Sequence, residues 1–266
     1  MTAGFMRSLD LLVLFDDHHE TFSTHTSPEA TGMTRITTVL ATVLSLAFTP
    51  LAAQDFQKGV AAYQAGDYAT ALQEWTPLAE AGYGNAQNNL GFMNYYGIGV
   101  PQDYAEAVKW YRLAADQGDA RAQSILGYTY ENGLGVPQDH AEAVRWYRLA
   151  ADQGYAYAQT NLGYMYENGL GLLQDYAEAV RLYRLAADQG YARAQTNLGV
   201  MYRNGEGVLQ DTVTAHMWYN IGAANGNELG GTNRDSIAEG MTQQAIEQAQ
   251  AMARECMSSN YQNCGY

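Results

Sequence analysis

Charged side chains that recur at fixed spacing are the first candidates for binding chemistry. Glutamate, a lysine or arginine, a second arginine and an aspartate follow one another three or four residues apart, which places them on one face of a helix. The pattern occurs three times. Two interpretations stay open: a solvated ladder of salt bridges, or a basic column that receives an acidic peptide or a chain terminus. The six cations are Lys109, Arg112, Arg145, Arg148, Arg181 and Arg184.

Two asparagines that occupy equivalent positions, Asn161 and Asn197, are further candidates for peptide binding. A carboxamide both donates and accepts hydrogen bonds, so it can clamp a peptide backbone. The alternative is that each asparagine pairs with the adjacent turn.

Residues for covalent or metal chemistry do not form a recognisable pattern. Outside the amino-terminal leader described below, the chain has two histidines, His140 and His216, and neither has a metal-ligand neighbour in sequence. The Gly-x-Gly segments within 132–135 and 168–171 follow no predicted strand and precede no phosphate-binding lysine. We therefore predict no catalytic residue, no metal ion and no cofactor, and hence a protein that is not an enzyme.

The overall charge excludes several classes of partner. Among 266 residues, 28 are acidic and 14 are lysine or arginine, which gives a formal net charge of −14. Binding to nucleic acid needs a basic surface, and so does docking on an anionic membrane. A composition that is 47% hydrophobic, with 21 tyrosines, is also not that of a disordered chain.

The most apolar stretch of the chain is typical of a secretory signal peptide. Arg35 precedes an apolar run over 36–48, which is shorter than the roughly 20 residues that span a bilayer, and small residues follow. We predict a signal peptide over 33–53 with cleavage after Ala53, and a periplasmic or secreted protein of a Gram-negative-type bacterium without stable membrane insertion. Residues 1–32 would then be an over-long gene model or a disordered leader. The alternative, a buried helix of the fold, would need an amphipathic pattern that this run lacks.

Two cysteines, Cys256 and Cys264, stand near the carboxyl terminus. In an exported protein an even pair predicts a disulfide, which would tie the tail to the last helix. Free thiols are the alternative.

A repeat of 36 residues organises the rest of the chain. Units 141–176 and 177–212 differ at only seven positions. We predict a repeat solenoid over 54–240 and a capping helix with a tail over 241–266. The units are 69–104, 105–140, 141–176, 177–212 and a diverged unit at 213–240.

Each unit is predicted to form two helices. Aspartates three residues before a glutamate are predicted to cap the first helix of each unit, which ends at a Gln-Gly pair. The second helix ends at an Asn-Gly-x-Gly loop, whose glycines accept positive φ. A hairpin of this kind cannot bury its apolar faces alone, so the units must stack. The predicted capping residues are Asp103, Asp139 and Asp175.

The second helix of each unit has a glycine near its middle, and this recurrence predicts close packing. Each costs about 1 kcal/mol relative to alanine, so its recurrence indicates a close approach of neighbouring backbone that a Cβ would prevent. Trp110, Tyr111 and Leu113, with their equivalents in the next unit, are predicted to fill the core around them. The glycines are Gly91, Gly127, Gly163 and Gly199.

The repeat resembles a known family. Trp-Tyr-Arg-Leu-Ala-Ala-Asp-Gln-Gly, then Ala-x-Ala-Gln-x-x-Leu-Gly, then Tyr-x-Asn-Gly-x-Gly-Val-Pro-Gln-Asp is similar to the Sel-1-like repeat, a relative of the tetratricopeptide repeats. The resemblance covers about residues 56–224, and the tail resembles the carboxy-terminal cap of bacterial members. It implies an all-α, right-handed α/α superhelix that serves as a scaffold for proteins or peptides.

We therefore expect a monomeric interaction scaffold of the cell envelope that binds an unidentified protein or peptide along the repeat groove. One alternative is an envelope enzyme, such as a penicillin-binding or β-lactamase-like repeat protein. Some secreted relatives with several cysteine pairs are linked to β-lactams, and this chain has only one pair. Another alternative is a structural spacer associated with peptidoglycan.

Overall fold

The computed structural model describes residues 50–265, with side chains from Asp55 onward. The predicted leader over 1–32 and most of the predicted signal peptide lie outside these residues. The first described helix begins at Pro50, so the predicted cleavage site after Ala53 falls within its first turn.

The described part of the chain consists of twelve α-helices and contains no strand. This confirms the predicted all-α class. The helices are α1 Pro50–Gln64, α2 Tyr68–Glu80, α3 Gly84–Tyr96, α4 Tyr104–Asp116, α5 Ala120–Asn132, α6 His140–Asp152, α7 Ala156–Asn168, α8 Tyr176–Ala187, α9 Ala192–Asn204, α10 Thr212–Ala224, α11 Glu228–Ala238 and α12 Gln243–Ser258. No described helix is both long enough and apolar enough to cross a membrane.

From α1 to α11, consecutive helices pack against each other along the chain, which produces a solenoid. The even-numbered helices α2 to α10 are the first helices of their units, and the odd-numbered helices α3 to α11 are the second helices. Each second helix from α3 to α9 therefore lies between the first helix of its own unit and the first helix of the next unit.

Local sequence sets where the helices begin and end. The carboxylates of Asp103, Asp139 and Asp175 accept a hydrogen bond from a backbone N–H in the first turn of α4, α6 and α8. These bonds satisfy donors that have no partner within the helix. At the other end of the hairpin, Gly133 and Gly169 close α5 and α7 in the left-handed conformation, with φ of 68° and 65°.

The mid-helix glycines make room for tyrosine rings of the next unit. A Cβ at Gly163 would lie 2.8 Å from the ring of Tyr183, which is fully buried. What approaches each glycine most closely is therefore an aromatic ring, rather than a neighbouring backbone as the sequence suggested. The pairs are Gly91 with Tyr111, Gly127 with Tyr147, Gly163 with Tyr183 and Gly199 with Tyr219.

The predicted core is correct for the aromatic residues but wrong for the leucines. Tyr111 and Trp146 are buried. Leu113 and Leu149, in contrast, are 47% and 40% exposed, as is their equivalent Leu185. Each leucine lies four residues after the first cation of the charged pattern and three before its aspartate, so it shares the outward face with them.

A ladder of amides joins successive units. Four side-chain amides at the ends of first helices donate to a glutamine of the preceding second helix, over 2.7–2.9 Å. Each of those glutamines also donates to a backbone carbonyl of its own first helix. The hydrogen bonds of this ladder give partners to polar side chains that become buried when the units stack. Its pairs are Gln117 with Gln87, Gln153 with Gln123, Gln189 with Gln159 and Asn225 with Gln195.

The carboxyl-terminal tail covers the end of this ladder. Helix α12 packs on α10, and a disulfide joins Cys256 in α12 to Cys264 in the tail. Between the two cysteines, the hydroxyl of Tyr261 accepts a hydrogen bond of 2.8 Å from the Asn225 amide. The tail thus covers the side of the last unit, against α10, rather than continuing the stack beyond α11.

Candidate interaction surfaces

The six predicted cations lie on the outward face of α4, α6 and α8, together with Leu113, Leu149 and Leu185; we call this face the first-helix surface. The first cation of each pattern forms an ion pair with the glutamate three residues before it, at 2.6 Å in all three units. These pairs join Lys109 to Glu106, Arg145 to Glu142 and Arg181 to Glu178.

Two of these ion pairs shift the pKa of arginine or glutamate side chains in the expected direction. The hydrogen bond from Arg145 holds the pKa of the Glu142 carboxyl below its usual value and raises the pKa of the Arg145 guanidinium. Glu178 raises the pKa of Arg181 in the same way. The guanidinium of Arg145 also lies 4.1 Å from the centre of the Trp146 ring, a cation–π arrangement.

The second cation of each pattern has a different partner. Arg112, Arg148 and Arg184 donate to a tyrosine hydroxyl on the second helix of the same unit. For Arg148 the acceptor is Tyr166, at 3.1 Å, and in the described part of the chain no carboxylate lies within ion-pair distance of it. The two cations of one unit, equivalent in the sequence pattern, are therefore unlike in their surroundings.

Two cavities open on the first-helix surface. One, of about 390 Å³, lies beside α6 and the loop after α7, and the other, of about 310 Å³, lies between α6, α7 and α8. Both are lined by Arg148 and Asp152, and each also contains one exposed leucine, Leu149 or Leu185. Volumes of this size are at the lower end of the range for ligand sites, about 300–1,000 Å³.

The two predicted asparagines lie on second helices, and the side chain of Asn161 is buried and hydrogen-bonded within the fold. Asn161 is only 3% exposed. Its amide nitrogen donates to the Tyr157 carbonyl at 3.0 Å, and its oxygen accepts from Arg193 of the next unit at 3.1 Å. The Asn161 amide therefore bonds to its own helix and to the next unit, rather than to the adjacent turn that the sequence offered as an alternative. Burial raises the pKa of the Tyr183 hydroxyl, and the nearby Asn197 amide opposes that shift.

Half-buried acidic groups accompany these asparagines, and sequence reasoning missed them. The Tyr147 hydroxyl donates to Glu131 at 2.6 Å, and the Tyr183 hydroxyl donates to Glu167. Burial raises the pKa of the Glu167 carboxyl, although the Tyr183 hydrogen bond opposes that shift. A signal was available: Glu131, Glu167 and Arg203 occupy equivalent positions in the last turn of a second helix, and a charge there has no partner within its own helix. We call the set Glu131, Asn161, Glu167, Arg193 and Asn197 the second-helix surface.

The two histidines stand apart from other metal-ligating side chains. Among the described residues, no group of three or more histidine, cysteine, aspartate or glutamate side chains could hold a metal ion. His216 is 2% exposed, and burial lowers its pKa. His140 begins α6.

Comparison with known proteins gives a single family. The Sel1 repeat matches four consecutive segments, 84–119, 120–155, 156–191 and 192–227. These segments begin at the second helix of a unit, so they describe the same 36-residue period in a different frame. No curated protein matches the chain.

Two solved structures are similar in both sequence and fold. One is a protective antigen present in uropathogenic Escherichia coli strains displaying an SLR fold, 35% identical over 81% of this chain with a TM-score of 0.69. The chain spans 46% of that antigen's length. The other is a Sel1 repeat protein from Oxalobacter formigenes, 35% identical over 77% of this chain and 88% of that one, with a TM-score of 0.66. The chain therefore belongs to the Sel1 repeat family, a family of helical-repeat proteins that generally serve as protein-interaction scaffolds.

Proposed function

We propose that this protein is a non-enzymatic, monomeric scaffold of a bacterial cell envelope, which binds a protein or peptide along its first-helix surface. The observation that carries the proposal is the exposure of three equivalent leucines, Leu113, Leu149 and Leu185, beside cations in successive units. Apolar side chains aligned at a surface and bordered by charge are typical of interaction sites.

The polar groups of the second-helix surface support the choice of the first-helix surface as the binding surface, because they are already bonded within the fold. Asn161 has both ends of its amide occupied by the fold, and Glu131 and Glu167 accept from buried tyrosines. A partner would have to break these bonds before it could use the groups, whereas the leucines need only lose water.

The envelope assignment rests on the predicted signal peptide and on the cysteines. A disulfide between Cys256 and Cys264 is compatible with an oxidising compartment and unusual in the cytosol. We place the domains as a solenoid over 54–240 and a capping segment over 241–266. Amino-terminal sequencing of the native protein should find a chain that starts within a residue or two of Gln54, and a chain that retains residues 1–32 would refute the leader assignment.

Thiol titration tests the compartment independently. Protein isolated from the periplasm, denatured without reduction, should show no titratable thiol. Detection of two thiols per chain would show that the disulfide is absent and would remove this support for export.

Crosslinking in intact cells tests the interaction. Protein crosslinked in the envelope should yield a reproducible partner by mass spectrometry. Replacing Leu113, Leu149 and Leu185 together by asparagine should abolish crosslinking to that partner. The matched control replaces Leu173 and Leu209, which are 90% and 91% exposed in the loops after α7 and α9, and should retain it. Equal capture by both variants would refute the proposed surface.

A further inference from the structure

The disulfide closes a short loop that reaches back onto two units of the stack. Cys256 lies in α12 and Cys264 in the tail, eight residues apart. Between them, the Tyr261 hydroxyl accepts a hydrogen bond from the Asn225 amide at the end of α10. The Tyr261 ring also lies against the turn between α8 and α9, because one of its carbons is 3.1 Å from where a Cβ of Gly190 would be. One side chain of the loop therefore contacts both the last unit and the unit before it.

Tyr261 also supplies an acceptor that the last pair of the amide ladder would otherwise lack. In the three earlier pairs, the donor is a glutamine whose amide also bonds to a backbone carbonyl of its own first helix. Asn225 takes the place of this glutamine in the last pair and is one methylene shorter. Its amide donates to Gln195 and to the Tyr261 hydroxyl, both over 2.8 Å. The tail thus completes the ladder at the end of the solenoid.

The loop holds Tyr261 in this position through an unfavourable backbone conformation. Asn260 and Tyr261 have φ of 52° and 64°, and they are the non-glycine residues with positive φ in the described part of the chain. Residues with a Cβ adopt this region at a cost, so the conformation persists only where surrounding contacts hold it. The Tyr261 N–H and the Ser259 hydroxyl donate to the Cys256 carbonyl, and the disulfide closes the loop covalently.

The two cysteines differ in their access to solvent. Cys256 is fully buried, whereas Cys264 is 5% exposed and lines a cavity of about 330 Å³. Met217, Met252 and Glu255 also line this cavity. Thiol–disulfide exchange depends on which sulfur a thiolate can reach, so the cavity favours attack at Cys264. A carboxylate beside that sulfur repels an anionic thiol reagent and attracts a cationic one.

We propose that Cys264 is a site of thiol–disulfide exchange, and that exchange there releases the tail from the end of the solenoid. The attacking thiolate forms a bond to the Cys264 sulfur, and the bond between the two cysteines breaks. Cys256 leaves as a thiolate, which takes up a proton. Tyr261 then loses its contacts with Asn225 and Gly190, while the earlier units keep theirs. This redox-sensitive clamp is separate from the partner-binding role proposed above.

Matched small thiols test the site of attack. The folded, oxidised full chain is treated briefly with cysteamine, which is cationic, or with mercaptoethanesulfonate, an anion of similar size. Acid and a maleimide then stop the reaction, and peptide mass spectrometry locates the modified cysteines. We expect the small thiol on Cys264 and the maleimide on the released Cys256. At equal thiolate concentration, cysteamine should react about threefold faster or more, and Glu255→Gln should reduce this preference.

Hydrogen exchange followed by mass spectrometry tests the release of the tail. Reduction of the full chain with dithiothreitol should accelerate amide exchange about tenfold or more in residues 186–191 and 221–227, because both segments lose Tyr261. Helices α4 to α6 should exchange at the same rate in both states. Tyr261→Ala should give the same local acceleration in the oxidised chain. The matched control is Gln262→Ala, at the exposed neighbouring position, and should not.

Several results would overturn the inference. A small thiol found mainly on Cys256, or no reaction of the folded chain, would exclude Cys264 as the site of attack. Equal exchange in the oxidised and reduced chains would show that the disulfide does not hold the tail on the stack. Acceleration spread evenly over all units would indicate a general loss of stability in place of a local clamp. The double variant Cys256→Ser with Cys264→Ser should match the reduced chain without any reagent.

Discussion

The first-helix and second-helix surfaces are built from the same repeated sequence but differ in what their polar residues contact. On the first-helix surface, Glu142 and Arg145 pair within one turn of one helix. On the second-helix surface, Glu167 and Asn161 bond to residues of the next unit, Tyr183 and Arg193. Equal periodicity thus gives two different results: the polar residues of one surface fasten the repeats together, and those of the other lie at the solvent and pair within one helix.

The cause of this difference is how far neighbouring helices cover the two sets of side chains. Both kinds of helix pack between two neighbours, but second-helix side chains such as Asn161, at 3% exposure, face the following unit and lose most of their water. The outward face of a first helix meets solvent, so its glutamate pairs with the cation three residues away on the same helix. The following variants test the comparison, from the largest expected effect to the smallest.

Replacing Gly163 by alanine should have the largest effect. The added Cβ would lie 2.8 Å from the buried ring of Tyr183, so either the ring or α7 must move. Overpacking of this kind costs about 1–3 kcal/mol in the free energy of unfolding and occasionally more. We expect about 3 kcal/mol or more here, measured by chemical denaturation, because the clash is with a fully buried ring. Gly231→Ala is the matched control: its nearest neighbour would lie at 3.8 Å, and the helix preference for alanine should make it neutral or up to about 1 kcal/mol more stable. Equal destabilisation of the two variants would contradict the tyrosine–glycine packing.

Replacing Tyr183 by phenylalanine should come next. The change removes the hydrogen bond to the Glu167 carboxylate and leaves that half-buried group without its donor from the next unit. Hydrogen bonds to charged groups contribute about 1.5–3 kcal/mol, so we expect a loss of that order in the free energy of unfolding. Tyr164→Phe, on the exposed side of α7, should change stability by no more than about 0.5 kcal/mol. If the two variants were equally stable, the bond would not fasten the units.

The pH dependence of stability should have opposite sign for the two surfaces. The folded pKa of Glu167 is raised, so its favourable contribution is present below the unfolded pKa and is lost as pH rises through the folded pKa. The folded pKa of Glu142 is lowered, so its contribution is present above the unfolded pKa and is lost as pH falls through the folded pKa.

Denaturation across the acidic range therefore separates two glutamine variants. As pH rises toward neutral, Glu167→Gln should gain stability relative to the wild type, and Glu142→Gln should lose it. Shifts of the same sign in both variants would show that the two carboxyl groups have similar environments, contrary to the structure.

The smallest effect belongs to the exposed ion pair of Glu142 and Arg145. A double-mutant cycle with alanine at both positions should give a coupling energy of about 0.3–0.5 kcal/mol, as for other exposed pairs on a helix. The coupling should decrease as salt is added, because ions screen exposed charges. A coupling above about 1.5 kcal/mol would mean that the first-helix surface also stabilises the stack.

Much of this fold follows from the sequence because the interactions that define each helix are local. Asp103 caps α4 and Gly133 ends α5 as their positions in the repeat predict. Contacts between units were not predictable, since they depend on how the helix pairs stack. Tyr183 reaches Glu167 from 16 residues away, and no periodicity within one helix indicates that distance. The exposure of Leu113 was not predictable for the same reason, because the sequence of its helix does not show whether another helix covers that face.

The most direct test uses a photo-crosslinking amino acid in two otherwise identical strains. One strain carries it at Leu149 on the first-helix surface, and the other carries it at Tyr164 on the second helix α7. Both positions are partly exposed, at 40% and 36%, so each accepts the substitution without disturbing the core. We expect irradiation of intact cells to yield a discrete crosslinked protein from the Leu149 position and none from Tyr164. Capture from Tyr164 alone would contradict the assignment of the first-helix surface as the place where a partner binds.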